Sequence, residues 1–346
     1  MDVTYDLIHA LPKAELHVHL DGSLRPSTMI ELADTLSLPL PAEDPDELAA
    51  AMKAEDAENL EEYLARFDIT LSLLQHADAL ERVAYELAED NARENVWYVE
   101  VRYSPILHTR KGLPLTETVE APLRGLRRAE ADLGIRTGLI ICGIRNMDPG
   151  TSRDLADLTV AYKHRGVVAF DLAGAEYNYP AKKHRDAFFT VINKNIATTI
   201  HAGEAYGAES IHQALHYCRA NRIGHGTRLY EDPDLMTYVD DFRIPLEICL
   251  TSNVQTRAVE SYERHPLRQY FDRGLVVTLN TDNRLISGTS LTEEYGKAHR
   301  HQAFTWAELK DLARMGFESA FLRRPEKLEF LTRLEDEIEV LERSQG

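Results

Sequence analysis

The alternation of short apolar strands with amphipathic helices constrains the fold of this chain more than any other feature. Eight runs rich in aliphatic and β-branched residues recur along the sequence, and a polar or glycine-containing segment and a helical pattern follow each of them. Near-continuous apolar strands separated by helices are typical of a parallel sheet covered on its faces. Eight such units predict an α/β fold, a (β/α)8 TIM barrel. The predicted strands are 14–19, 97–103, 136–142, 167–172, 197–201, 222–225, 245–250 and 275–280.

The spacing of these strands predicts additions to the bare barrel. A doubly wound open sheet is the structural alternative, but no G-x-G-x-x-G follows any of the strands. About 75 residues separate the first two strands, where a βα unit needs roughly 30. We therefore expect a helical insertion at about 39–75, on the catalytic face, because an insertion after a barrel strand lies there. Segment 305–343 predicts two further helices, broken at Arg324-Pro325, and we expect residues 1–346 to form one domain.

One apolar stripe within the insertion has two interpretations. Leu60, Tyr63, Leu64 and Phe67 recur at i, i+3, i+4 and i+7, which is the pattern of one helix face. The stripe predicts either a helix that packs on the core or a hydrophobic lid over a ligand.

Composition and charge exclude several classes of function. Fifty-seven acidic residues against 39 Lys and Arg give a formal net charge of −18. Such a surface repels phosphate backbones and anionic lipid, so we expect no nucleic-acid or membrane partner. The three cysteines are widely spaced and no secretion signal is visible, which favours a reduced, cytoplasmic location. The oligomeric state stays open.

Polar residues with metal-binding chemistry follow four of the predicted strands. His17 and His19 are two residues apart, so on a strand their side chains point the same way. Three neutral imidazoles and one carboxylate suit Zn²⁺ with a position left for water, while a further carboxylate and histidine remain free for proton transfer. These residues alone indicate a metal-dependent hydrolase. The whole group comprises His17, His19, His201, Glu204, His225 and Asp282.

Six motifs together resemble the adenosine deaminase family of metal-dependent hydrolases. The order and spacing of the motifs match that family from about residue 8 to 300, and the combination of the first, fourth and last is the most specific part of the match. The motifs are LPKAELHVHLDGSLRP (11–26), VEVRYSP (99–105), DLAGAE (171–176), HAGE (201–204), RIGHG (222–226) and LNTDN (279–283).

The resemblance implies a role for each residue of the metal group. Glu204 matches the residue that protonates purine N1, and His225 matches the residue that orients or deprotonates the zinc-bound water and stabilises the developing oxyanion. Asp282 would also hold the attacking hydroxide. The implied ligands of a single Zn²⁺ are His17, His19, His201 and Asp282.

The resemblance also implies a substrate pocket. Asp21 matches the residue that binds the ribose 5′ hydroxyl, and Gly174 matches the glycine whose backbone N–H meets purine N3. His19 and Asn283 are expected at the substrate as well. Leu60, Tyr63, Leu64 and Phe67 lie where the family has its lid helix, which favours the lid interpretation. Arg102 and Ser104 match a family motif and are expected to have a structural role.

The implied reaction is hydrolytic deamination of adenosine and 2′-deoxyadenosine to inosine, 2′-deoxyinosine and ammonia. One departure bears on the substrate: the family's best-known members have a second aspartate, against purine N7, where this chain has Asn283. An amide NH₂ donates to N7 at any pH, whereas an aspartate donates only when protonated. Two alternatives stay open. One is the same chemistry on adenine or a 5′-modified adenosine of the aminodeoxyfutalosine or methylthioadenosine type, and the other is a barrel that only binds ligands.

Overall fold

Eight parallel strands form a nearly closed barrel in the computed structural model, which describes residues 2–344. Each strand pairs with the next one along the chain, from β1 to β8. The seam between the last strand and the first is joined by the N–H of His19, which donates to the carbonyl of Asp282, and by the N–H of Asp282, which donates to the carbonyl of His17. The strands are β1 Lys13–His19, β2 Val96–Tyr103, β3 Arg136–Ile144, β4 Val167–Ala173, β5 Ala197–Ala202, β6 Arg222–His225, β7 Leu246–Ile248 and β8 Val277–Leu279.

The predicted TIM barrel is thereby confirmed, and the differences from the predicted strands lie at the ends. β7 and β8 are three residues long, shorter than the predicted 245–250 and 275–280. Leu250 already begins a helix, and beyond Leu279 the chain leaves the ladder to place Asp282 against His17 and His19. The apolar run of β7 extends past the hydrogen-bonded ladder because Cys249 and Leu250, which follow the strand, are also buried.

Seventeen α-helices and three short 3₁₀ helices surround the barrel within residues 2–344. The 3₁₀ helices are Pro105–His108, Ala181–His184 and Leu229–Glu231. The α-helices are α1 Tyr5–Ala10, α2 Pro26–Leu36, α3 Pro45–Met52, α4 Leu60–Ala65, α5 Phe67–Leu73, α6 Ala77–Arg93, α7 Glu117–Leu133, α8 Pro149–Tyr162, α9 Arg185–Ile192, α10 Ala208–His216, α11 Pro233–Asp241, α12 Leu250–Gln255, α13 Leu267–Arg273, α14 Arg284–Ser287, α15 Leu291–Gln302, α16 Trp306–Ser319 and α17 Arg324–Ser344.

The insertion between β1 and β2 is helical, as its sequence predicts. The side chain of Asn59 caps α4 by accepting from the N–H of Glu62. The stripe whose spacing predicts one helix face lies on two helices, α4 and α5, which meet at Arg66. The stripe of apolar residues therefore runs across a break in the helix axis.

The C-terminal helices also form, but the break between them differs from the prediction. Thr305 and Glu308 make a reciprocal capping box at the start of α16. The non-helical residues are 320–323, and Arg324-Pro325 begins α17 instead of interrupting it. Proline is accepted in the first turn of a helix because its missing N–H has no partner to lose there.

Two hydrophobic clusters of unequal size hold these elements together. The large one fills the barrel wall and the layer beneath its helices. The small one joins the insertion to α14 through Ala54, Ala57, Leu60, Tyr63 and Ile286. No helix within residues 2–344 has the length and apolar character needed to cross a membrane.

Candidate active site

Four buried donors meet at the carboxyl ends of β1, β5, β6 and β8. His17, His201, His225 and Asp282 each offer a ligand atom, and these atoms lie within 4.8 Å of one another. They form a buried His/His/His/Asp metal site. His19 belongs to the same cluster, because its Nε2 lies 3.1 Å from Nε2 of His201 and 3.4 Å from Oδ1 of Asp282. The structure thus brings all four sequence-predicted ligands together and adds His225 at the edge of the group.

Buried carboxylates orient two of these imidazoles. Nδ1 of His17 lies 2.8 Å from Oε2 of Glu247, and Nδ1 of His201 lies 3.2 Å from Oδ1 of Asp171. Burial opposes ionisation of both acids, but neighbouring cations outweigh it and hold the pKa of Glu247 and of Asp171 below the usual range. The ionised carboxylates accept from Nδ1–H, which leaves the lone pair of each Nε2 facing the cluster.

A cationic network anchors those carboxylates in the barrel interior. The guanidinium of Arg102 donates to Oε2 of Glu247 at 2.9 Å and to Oδ2 of Asp171 at 3.1 Å, with all three side chains fully buried. Arg222 donates to Oε1 of Glu247 at 2.6 Å. The expected structural role of Arg102 therefore has a physical basis, because this residue fixes both carboxylates that orient the imidazoles.

The donor set fits a small tetrahedral cation. Among residues 2–344 nothing hydrogen-bonds Nε2 of His17, although this atom is buried and lies 3.3 Å from Oδ1 of Asp282. Bonds of 2.0–2.1 Å in a tetrahedron place neighbouring ligand atoms about 3.3 Å apart. The measured separations of 3.1, 3.3 and 3.4 Å among His17, His19, His201 and Asp282 match that edge. Burial also lowers the pKa of His19 to about 3, so this imidazole is neutral and able to bind a metal.

Glu204 lies beside the donors in surroundings that favour its acid form. Burial, followed by the charges of Asp282 and Glu176, raises the pKa of this carboxyl well above its ordinary value. Its Oε1 lies 3.1 Å from the hydroxyl of Thr256, and its Oε2 lies 3.5 Å from Nε2 of His225. A carboxyl group with a raised pKa keeps its proton to higher pH and can donate that proton to a bound ligand.

The carboxylate of Glu176 positions the loop that carries Glu204. This buried side chain accepts from four consecutive backbone N–H groups, those of residues 203–206, at 2.5 to 3.0 Å. Glu176 ends one of the six motifs but is not among the site residues that the sequence predicts. The sequence shows only a glutamate two residues after Gly174, and that pattern does not indicate which backbone groups the carboxylate will bind.

The backbone at two site residues adopts the left-handed region. His225 has φ 63° and Asp282 has φ 61°. This region is uncommon for residues other than glycine, although aspartate and histidine adopt it more readily than most. In both residues the conformation turns the side chain from a strand end toward the donor cluster.

A pocket of about 310 Å³ opens above the donors. Its size lies at the lower end of the range for small-molecule sites. Asp21, Gly174 and Asn283 line it, and Leu60, Tyr63, Leu64 and Phe67 cover it from α4 and the start of α5. The residues predicted to contact substrate therefore surround one cavity. A larger groove of about 1230 Å³ at the opposite end of the barrel contains none of them.

Asp21 and Asn283 have distinct surroundings in this pocket. Oδ1 of Asp21 is buried without a hydrogen-bond partner among the described residues, and Oδ2 lies 3.8 Å from Nε2 of His108. The amide nitrogen of Asn283 donates to the hydroxyl of Tyr63 at 2.9 Å, and that hydroxyl lies 2.8 Å from Oγ of Ser287. Asn283 therefore joins the floor of the pocket to its lid, a contact that sequence spacing does not reveal.

Gly174 allows close approach of the backbone to a ligand. Its φ is +94°, a conformation that L side chains rarely adopt, and a Cβ there would lie 2.8 Å from Oδ1 of Asn146. A side chain at this position would be strained and would occupy the pocket wall.

The profile of the family described as "Adenosine deaminase" matches residues 12–337. An adenosine deaminase of Clostridium acetobutylicum is 38% identical, over 97% of this chain and 100% of that protein. A probable adenosine deaminase of Dictyostelium discoideum is 43% identical, but this chain spans only 42% of its length. Among solved structures, an adenine deaminase from Arthrobacter aurescens has a TM-score of 0.89 at 27% identity, covering 95% of this chain and 99% of that one. A zinc-bound amidohydrolase from Burkhoderia ambifaria has a TM-score of 0.88 at 26% identity, covering 99% and 96%.

Proposed function

The chain belongs to the adenosine deaminase family, within the amidohydrolase superfamily, and from that premise we propose that it catalyses zinc-dependent hydrolysis of adenosine and 2′-deoxyadenosine to inosine, 2′-deoxyinosine and ammonia. The observation that carries the proposal is the buried carboxyl of Glu204, whose pKa burial raises, beside a buried His/His/His/Asp metal site. A proton donor and a set of metal ligands at one end of one pocket are what hydrolytic deamination of a purine requires.

His17, His19, His201 and Asp282 would hold one zinc ion per chain. Their mutual separations support this set, and the carboxylates that accept from Nδ1 of His17 and of His201 leave Nε2 of each ring toward the cluster. When bound, zinc supplies an acidified water as a nucleophile near neutral pH. Ser252 donates to Oδ2 of Asp282 at 2.6 Å, which keeps the carboxylate fixed with Oδ1 toward the imidazoles.

Glu204 supplies the proton that activates the purine. Protonation of N1 withdraws electron density from C6 and makes that carbon a better electrophile. The hydroxyl of Thr256 and the peptide bonds held by Glu176 fix the carboxyl, so little reorganisation is needed when the proton moves. The overall change is addition of water at C6 and departure of the 6-amino group as ammonia.

The remaining pocket residues orient the nucleoside. The N–H of Gly174 is proposed to donate to purine N3, and the unpartnered carboxylate oxygen of Asp21 is proposed to accept from the ribose 5′ hydroxyl. Asn283 is proposed to donate to N7 with the amide hydrogen that Tyr63 does not use. Leu60, Leu64 and Phe67 would cover the base and exclude water from the reacting carbon.

Charge in the pocket favours a nucleoside over a nucleotide. Four carboxyl groups line the cavity, those of Asp21, Asp68, Glu204 and Asp282, against the single guanidinium of Arg110. A 5′-phosphate would meet mostly acidic side chains. Adenine remains the second candidate because a structural neighbour of this chain is an adenine deaminase, but adenine would leave the buried oxygen of Asp21 unpaired, at a cost of about 1–3 kcal/mol.

A substrate panel tests this proposal. Zinc-loaded protein is assayed by ultraviolet absorbance with adenosine, 2′-deoxyadenosine, methylthioadenosine, AMP and adenine at equal concentrations. We expect the highest kcat/KM with the two unmodified nucleosides and loss of that activity in Asp21→Ala, with adenine turnover unchanged by the substitution. Faster turnover of adenine or of methylthioadenosine would overturn the substrate assignment, and silence across the panel would favour a barrel that only binds ligands.

A further inference from the structure

A chain of hydrogen bonds runs from a backbone amide to the imidazole of His225. Its first donor is a backbone N–H, which fixes which group donates and which accepts in every later bond. The N–H of Leu267 donates to Nδ1 of His265 at 3.1 Å. A backbone N–H is always a donor, so Nδ1 of His265 is an acceptor and carries no proton. His265 is buried, and burial lowers the pKa of this imidazole to about 3. Its single ring proton is therefore on Nε2.

The same direction continues through Asn253. Nε2 of His265 lies 3.1 Å from Oδ1 of Asn253, and Nδ2 of Asn253 lies 2.9 Å from Nδ1 of His225. The N–H of His265 requires the carbonyl oxygen of the amide on its side, so the amide NH₂ group faces His225 and donates to it. Asn253 is fully buried, which removes competition from solvent.

We infer that Asn253 and His265 are positioning residues that hold His225 in the tautomer with its proton on Nε2. His225 then presents an N–H to the reaction centre, 3.5 Å from Oε2 of Glu204, and acts there as a hydrogen-bond donor and not as a base. The inference deepens the proposed function and rests on it for the identity of the reaction. It narrows the role that family resemblance gives His225, which was to orient or to deprotonate the attacking water.

The contrast with the neighbouring imidazoles supports the inference. His17 and His201 face carboxylates through Nδ1, so that atom is protonated and Nε2 keeps its lone pair. His225 faces an amide donor through Nδ1, so this nitrogen accepts and the ring proton is on Nε2, the opposite of the arrangement in His17 and His201. The three rings are close, with centroids of His17 and His201 at 4.9 and 5.2 Å from that of His225. One cluster thus contains two imidazoles prepared to bind a cation and one prepared to donate a proton in a hydrogen bond.

The inference also selects among the candidate metal ligands. With Nδ1 of His225 accepting from Asn253 and Nε2 protonated, neither nitrogen offers a free lone pair. The third imidazole of the site is then that of His19, whose Nε2 lies 3.1 and 3.4 Å from donor atoms of His201 and Asp282. Zinc should therefore bind His225→Gln and should bind His19→Gln much more weakly.

The direct test reads the tautomer by nuclear magnetic resonance. Protein labelled with ¹⁵N-histidine is examined with and without zinc, and His225→Gln assigns its signals. The one-bond coupling between a ring nitrogen and its proton identifies which nitrogen is protonated. We expect coupling at Nε2 of His225 in the wild type. Coupling at Nδ1 alone would overturn the inference whether or not the protein deaminates adenosine, so the tautomer can be judged separately from the proposed function.

An isosteric variant reverses the direction of the chain. In Asn253→Asp a carboxylate faces Nδ1 of His225 and accepts from it, so the proton should move to Nδ1 while the zinc content stays the same. We expect kcat to fall by about 10²–10⁴-fold, the loss found when a catalytic histidine is held in the wrong tautomer or proton donation is lost, with a much smaller change in KM. A wild-type kcat, or a retained proton on Nε2, would contradict the inference.

Two further variants separate positioning from packing. His265→Gln keeps an N–H donor where Nε2 lies, whereas His265→Leu fills the space without one. The glutamine variant should keep the tautomer and most of kcat, and the leucine variant should lose both; equal effects of the two would indicate packing alone. Asn91→Asp, at a buried asparagine of α6 whose side chain donates to the carbonyl of Leu87, controls for the cost of burying a carboxylate and should leave kcat unchanged.

Discussion

The floor of the pocket and its lid are built in different ways. The floor is made of strand ends whose side chains are held by several hydrogen bonds each. One carboxylate, that of Glu247, contacts four side chains in the barrel interior, those of His17, Arg102, Thr199 and Arg222. The lid is made of α4 and the start of α5, and its apolar side chains belong to a small hydrophobic cluster separate from the main core. The floor is therefore suited to hold reacting groups, and the lid is suited to surround a ligand.

The difference in bonding suggests a difference in local stability. Removing one partner of a buried charge pair leaves the other charge uncompensated, which costs about 3–5 kcal/mol. The lid instead has the ion pair of Arg66 with the exposed carboxylate of Asp56, and solvent screening makes such surface pairs weak. Substitutions in the floor should change kcat or metal binding, and substitutions in the lid should change KM.

The largest effect is expected at Glu204. Glu204→Gln keeps the shape of the side chain but removes the proton donor, so kcat with adenosine should fall by about 10²–10⁴-fold while zinc stays bound. Steady-state kinetics and metal analysis of the same sample measure both quantities. Normal turnover in this variant would show that the floor does not supply the proton as proposed.

The next effect is expected at the carboxylate that orients His17. Glu247→Gln should weaken zinc binding by about 10–100-fold, the usual cost of losing an outer partner of a ligating histidine. It should also lower the melting temperature, because Arg102 and Arg222 lose a buried partner. Competition with a chelator and thermal unfolding measure the two changes. Glu81→Gln, at a partly exposed acid that pairs with Arg124 and Arg128 on the outer helices, is the matched control and should change neither.

A moderate, pH-dependent effect is expected where floor and lid meet. Asn283 donates at any pH, so in the wild type the decline of kcat/KM at high pH should follow only the ionisation of Glu204, whose pKa burial raises. Asn283→Asp adds a carboxyl that donates to N7 only below its own pKa. As pH rises through the pKa of the added carboxyl, that group loses the proton it donates to N7. The kcat/KM of the variant should then fall by about tenfold, the equivalent of one hydrogen bond of about 1.4 kcal/mol. Parallel pH profiles of the two proteins would contradict a contact between Asn283 and N7.

The smallest effect is expected within the lid. Phe67→Ala removes apolar contact with the bound base, so KM for adenosine should rise by about tenfold or less, with little change in kcat. Phe189→Ala, at an exposed phenylalanine of α9, is the control and should leave both constants unchanged. A fall in kcat with constant KM in Phe67→Ala would erase the distinction between lid and floor.

The parts that sequence predicted well are those that follow from short-range pattern. All eight strands lie near their predicted positions, because short apolar runs between helical patterns are typical of the strands of a parallel sheet. The predicted metal and proton-transfer residues also meet, since the carboxyl ends of parallel strands converge at one face of a barrel.

The parts that sequence missed depend on contacts between distant segments. The helix boundary at Arg66 and the packing of α4 against Ile286 of α14 are not recorded in any local periodicity. The four N–H groups around Glu176 and the hydrogen bonds from Leu267 through Asn253 join loops whose relative position only the fold determines. A lone buried asparagine or histidine has the same sequence signature whether it fills space or directs a proton.

We propose that this chain deaminates adenosine with one zinc ion held by the floor and with Glu204 as the proton donor. The most direct measurement depletes the protein with a chelator, returns zinc in steps, and records bound zinc and the rate of inosine formation in each sample. We expect the rate of inosine formation to rise in proportion to bound zinc and to level off at one ion per chain. A full rate in the depleted protein, or full zinc occupancy without inosine formation, would contradict it.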